Sequence, residues 1–80
     1  MNPEDHFITA TLIIDKPLVE RKTTFEVMAG QTLRDALKDI IMKPGMAYIM
    51  LINGQVVDQN IIIQPGDQIR CLPQISGGKT

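Results

Sequence analysis

Aromatic residues are scarce in this chain, which has no tryptophan, one tyrosine and two phenylalanines. Platforms for stacking bases are therefore few, and the five lysines and three arginines are scattered rather than gathered into a block. Basic clusters interleaved with aromatics mark nucleic-acid surfaces, so no nucleic-acid partner is expected. Cysteine occurs once, at Cys71, and cannot close a disulfide within the chain. Small secreted domains usually need such staples, which makes a reducing, cytoplasmic compartment the expectation. His6 is the sole histidine and has no second ligand at metal spacing, so no metal site is expected. The apolar run at Tyr48 to Ile52 is far shorter than the ~20 residues that cross a bilayer as a helix. Met1 to Phe7 carries Glu4 and Asp5 and no apolar stretch, so a signal peptide is not expected there. A phosphate loop is missing too, since Gly45 of Lys43-Pro44-Gly45 is followed by Met46.

What is present suits a folded chain: 44% of residues are apolar and 21% charged, a balance that excludes disorder as a description of the whole. Eighty residues make one domain, which buries only roughly 60–65% of its unfolded surface. There is material for one sheet packed on one helix and little left to shape a deep pocket. An enzyme with an active site of its own is not expected.

Punctuation divides the chain into short elements. Phe7 to Ile14 alternates, with Ile8, Ala10, Leu12 and Ile14 on one side, and reads as a strand. Asp15-Lys16-Pro17 breaks it. Lys22 to Met28 reads as a second strand, Phe25 and Val27 alternating with Thr24 and Glu26, in an antiparallel hairpin with the first. The period then changes. Leu33, Ala36, Leu37, Ile40 and Ile41 form one stripe of an amphipathic helix. Thr32 with Asp35 approximates a capping box at its start, and Lys43-Pro44-Gly45 marks its end. Ala47 to Ile52 reads as a strand with much of both faces covered. Asn53-Gly54 is a hairpin turn into a short return strand, Gln55 to Val57. Ile61 to Ile63 is apolar. Pro65-Gly66 supplies a type II turn into the last strand, Gln68 to Leu72. From Pro73 onward nothing holds the chain down, and an extended, mobile tail is expected.

The expected division is therefore a single domain over residues 1–72 and a flexible tail over 73–80 that carries Gly77-Gly78. The order strand, strand, helix, strand, short strand, strand fits an α+β fold. First and last strands pair in the middle of a mixed sheet of four to five strands, and one helix lies across it. That arrangement is the β-grasp, or ubiquitin-like, fold. Cys71 alternates with Ile69 and reads as a small core residue. Met42, Met46 and Met50 read either as core filler or as an adaptable partner surface.

Ile52-Asn53-Gly54-Gln55-Val56-Val57, then Gln64-Pro65-Gly66-Asp67-Gln68-Ile69, then Leu72-Pro73-Gln74-Ile75-Ser76-Gly77-Gly78 resemble the MoaD/ThiS sulfur carriers. The match is close over residues 52–78 and loose over 8–41. The resemblance implies that the chain binds no cofactor itself. A ubiquitin-activating-type enzyme would adenylate the Gly78 carboxylate with ATP and magnesium. A persulfide donor would convert it to a thiocarboxylate, and a sulfur-accepting synthase would take the sulfur. That acceptor would belong to molybdopterin (molybdenum or tungsten cofactor), thiamine, cysteine or transfer-RNA sulfur metabolism. Gly77 and Gly78 suit a tail that must enter a narrow channel, because they have no side chain to clash there. Six extended residues, Pro73 to Gly78, would reach roughly 20 Å.

The resemblance also implies that an apolar patch beside the tail docks on the activating enzyme. If Ile69 and Cys71 face the helix, Arg70 and Leu72 face away from it, and Leu72, Ile75, Arg70 and Phe7, with Ile13, are the partner-binding candidates. In one respect the chain departs from the family, whose Gly-Gly normally ends the protein: Lys79 and Thr80 follow Gly78. A processing metalloprotease would have to remove them. Two further readings stay open at this point, a protein modifier joined to a target lysine through Gly78 and a β-grasp interaction domain that is never activated.

Overall fold

The computed structural model describes residues 8–74. Five strands and one short helix follow in the expected order. β1 (Thr9–Ile14) and β2 (Thr23–Met28) form the hairpin, and α1 (Leu33–Leu37) follows. Then come β3 (Tyr48–Ile52), β4 (Gln55–Val57) and β5 (Gln68–Pro73). They make one mixed sheet in the order β2-β1-β5-β3-β4, with β1 and β5 as parallel neighbours at its centre. This is the β-grasp fold.

Strand alternation decides which side chains enter the core. Ala10, Leu12 and Ile14 of β1 and Ile69 and Cys71 of β5 are buried, while Thr11 and Arg70 are exposed. Ile8 lies just ahead of β1 and is half exposed. Leu33 and Leu37 of α1 complete this core, with Met50, Ile52, Leu18 and Ile63. Among the described residues it contains no buried polar or charged side chain.

Both predicted turns form. Asn53 and Gly54 have φ of 52° and 87°, the left-handed pair that the two-residue hairpin turn requires. Gly66 has φ 81°, and the Asp67 N–H donates to the Gln64 carbonyl (3.2 Å), which closes the turn around Pro65-Gly66.

The helix is shorter than the apolar stripe suggests. Thr32 caps it as expected, its hydroxyl accepting from the Asp35 N–H at 3.1 Å. The Leu33 and Arg34 N–H groups donate to the carbonyls of Ile61 and Gln59, so the 59–63 segment supplies partners that a helix start lacks internally. Regular helix stops at Leu37, however. The Lys38 and Ile40 N–H groups donate three residues back, to Asp35 and Leu37, which tightens the chain out of the α geometry. The Lys43 N–H then donates to the Leu18 carbonyl (2.8 Å), so the chain turns to meet the β1–β2 connection. Leu18 is fully buried in the core, and Ile41 is left 91% exposed. The expectation that Ile41 joins the core is therefore corrected, while Ile40 packs half-buried against it.

The tail boundary also moves. β5 runs through Pro73, and the Gln74 N–H donates to the Ala47 carbonyl (2.9 Å), so the sheet holds the chain two residues past Leu72.

Candidate functional site

Three of the predicted site residues, Ile13, Arg70 and Leu72, fall within the described chain; Phe7, Ile75, Gly77 and Gly78 lie outside it. Arg70 and Leu72 sit on the sheet face opposite the helix, because their neighbours Ile69 and Cys71 point into the core. The register places Ile13 of β1 on one side of Arg70 and Leu51 of β3 on the other, and Ile49 beside Leu72. Val56 of β4 continues the row past Leu51 and is 69% exposed. Ile13, Leu51, Arg70 and Leu72 line a shallow groove of about 300 Å³ with Asn53, Gly54 and Gln68 at its far end.

Arg70 is thus a cation set in an apolar row. Its Nη2 donates to Asp15 Oδ2 at 3.0 Å, and this is the one ion pair among the described residues. The arginine is half exposed, so the pair adds little to stability and acts mainly to aim the guanidinium. Leu51, Ile49 and Val56 were not singled out from the sequence as part of this face. For Leu51 and Ile49 the signal was there in the unbroken apolar run of β3, where a sheet with one solvated face should alternate, whereas Val56 lies in β4.

The two turns that carry the resemblance are joined in space. The Asn53 N–H donates to the Gln68 carbonyl (2.8 Å), and the Gln68 N–H donates to Asn53 Oδ1 (3.0 Å). Asn53 Nδ2 donates to Asp67 Oδ1 (3.1 Å), whose Oδ2 accepts from the Gln64 N–H (2.9 Å). The asparagine of one turn and the aspartate of the other therefore fix β3 against β5 at the end of the groove.

Cys71 is fully buried, with its Sγ 3.9 Å from Met42 Sδ. Burial, reinforced by the negative charge of Asp15, pushes its thiol up to about 11. A thiol so held is a packing group rather than a nucleophile. Native protein at pH 8 is expected to resist alkylation by iodoacetamide, and denaturant should expose the thiol at once. Its raised folded-state value also sets a sign: between about 9 and 11 the unfolded chain has released the proton that the folded chain keeps. Stability should therefore fall as pH rises through that window. Rapid labelling of folded protein would refute the assignment.

Among the described residues no group of three or more histidine, cysteine or acidic side chains could hold a metal, and no helix is long and apolar enough to cross a membrane.

The site is thus an exit strand at the centre of a β-grasp sheet, flanked by an apolar face. The family model that matches this chain is that of the ThiS family, over residues 14–78. The chain belongs to the ThiS family. ThiS proteins are small ubiquitin-like sulfur carriers, and the match runs from the last residue of β1 through Gly77 and ends at Gly78. No curated protein matches the chain. Membership in the ThiS family implies activating enzymes and synthases as partners.

Proposed function

We propose that this protein is a sulfur carrier that works through the Gly78 carboxylate, freed by cleavage of the Gly78–Lys79 bond. The observation that carries this reading is the ThiS match extending through Gly78 on a β-grasp fold whose central strand leads into the tail. A carboxylate is a poor electrophile. Attack of its oxygen on the α-phosphorus of ATP, with magnesium on the phosphates, expels pyrophosphate and gives an acyl-adenylate with a good leaving group. The terminal sulfur of a persulfide donor attacks the acyl carbon and AMP leaves; a second thiol then attacks the donor's sulfur, forming a disulfide with it and expelling the thiocarboxylate. A sulfur-accepting synthase then consumes it. The chain contributes presentation. Residues 75–78 span at most ~14 Å when extended, so the activating enzyme must come close to the folded body to reach Gly78.

Close approach gives the open sheet face its role. Leu72, Ile13 and Leu51 offer the apolar centre of a docking surface and Arg70 a directional contact; Ile75 and Phe7, outside the described residues, are further candidates from the sequence. A metalloprotease is the proposed processing enzyme, and the cytoplasm the proposed compartment.

Intact-mass measurement on protein purified from its native cell tests the reading. The expected species ends at Gly78 and has one oxygen replaced by sulfur. A species ending at Gly78 and joined to a target lysine would instead mark a protein modifier. Protein that always retains Lys79 would mark an interaction domain that is never activated.

A further inference from the structure

At the end of the sheet from which the chain leaves, the β1–β2 connection and the segment after α1 lie together. They are joined by the Lys43–Leu18 backbone bond, and Met42 packs against Cys71 of β5 below them. Between them opens a second groove of about 630 Å³, lined by Leu18, Val19, Ile41, Met42 and Pro44 with Glu20, Arg21 and Lys43. Ile41 is the most exposed of the large apolar side chains among the described residues. A single exposed isoleucine would be ordinary. This one borders apolar walls that include a methionine, a side chain that adapts its shape to a partner.

Charge says what kind of partner fits. The two segments carry Lys16, Arg21, Lys22, Lys38 and Lys43 against Glu20 and Asp39, Asp15 being neutralised by Arg70. That is a surplus of three positive charges on a chain of net charge −1, which leaves −4 for the remainder. None of the five cations is in an ion pair among the described residues. Cations around an apolar groove attract a segment that brings carboxylates, and burial of an apolar side chain supplies the affinity.

We propose that this groove docks an acidic segment of a partner protein, inserting an apolar side chain beside Ile41 and Met42 while its carboxylates meet Arg21 and Lys43. The surface is distinct from the open sheet face and lies beside the exit of the tail. It goes beyond the carrier reading and does not depend on Gly78 being activated.

The test is an amide-resolved NMR titration of the uncut chain with three synthetic peptides. One is Asp-Glu-Leu-Phe-Asp-Glu, one has Leu-Phe replaced by Ser-Ser, and one has every acid replaced by lysine. The first peptide should shift Val19, Arg21, Ile41 and Lys43 and bind about tenfold more tightly than either control. Raised salt should weaken it. Ile41→Glu, which changes an exposed side chain and spares the fold, should abolish that advantage. Equal binding by the serine peptide would reduce the groove to a charged surface and overturn the proposal. Absence of binding, or shifts confined to Ile13, Leu51 and Leu72, would overturn it as well.

Discussion

Uncut protein, incubated with its adenylating enzyme, ATP and magnesium, should give no pyrophosphate exchange, while protein truncated after Gly78 should exchange readily. The difference is all-or-none in principle, because Gly78 in the uncut chain is held in an amide with Lys79 and offers no carboxylate. Gly78→Ala in the truncated chain adds a methyl group at the reacting residue. Misplacement by about an ångström can cost ~10²-fold, and a loss of that order is expected. Circular dichroism and thermal midpoint should be the same for all three proteins, since β5 ends at Pro73 and the core lies upstream. Exchange by uncut protein would mean that the terminus is used differently from the family. Inactivity of the truncated chain with its activating enzyme would remove the carrier reading altogether.

The largest expected effect on stability is at α1. Leu33 is fully buried, and Leu33→Ala should cost ~2–5 kcal/mol through lost burial and the cavity left behind. For a domain of this size each kcal/mol moves the thermal midpoint by roughly 4–8 °C, so a drop of at least about 8 °C is expected. Ile41→Ala, on the same apparent stripe, should change stability by less than about 0.5 kcal/mol. Differential scanning calorimetry of the two variants separates the observed helix end from the one the stripe suggests. Equal destabilisation would mean that Ile41 is packed after all.

The sheet was legible because its signals are local. Ala10, Leu12 and Ile14 repeat every second residue, and Asn53-Gly54 and Pro65-Gly66 force their turns by backbone geometry alone. The helix end was not, because what stops it lies elsewhere in the chain. Leu18, in a connection that reads as polar and broken by Pro17, is buried in the core and its carbonyl accepts from the Lys43 N–H, while Ile41 stays outside. Periodicity cannot report such contacts between distant segments. Pro73 likewise reads as a strand breaker, yet it sits at the end of β5 opposite Tyr48, where no further ladder bond asks for its missing N–H. On the candidate site, Arg70 and Leu72 followed from alternation once β5 was placed. Ile13 was named beside them from the sequence, whereas Leu51 needed the register and the Asn53–Asp67 link needed both turns in three dimensions.

The parallel pairing of β1 with β5 also bears on how the protein is made. The ribosome delivers β1 and β2 first, and that hairpin can form early, but the centre of the sheet is the last strand to emerge. Until Pro73 clears the exit tunnel, β1 has one empty edge and β3 has no central partner. Leu12 and Ile14 meanwhile lack the Ile69 and Cys71 they pack beside. Contacts between the two ends of a chain carry the longest loop closure, so this topology folds late and as a unit. A nascent chain stalled before residue 68 should remain open to chaperones and proteases, and only a chain that has delivered its last strand can present a tail to a partner.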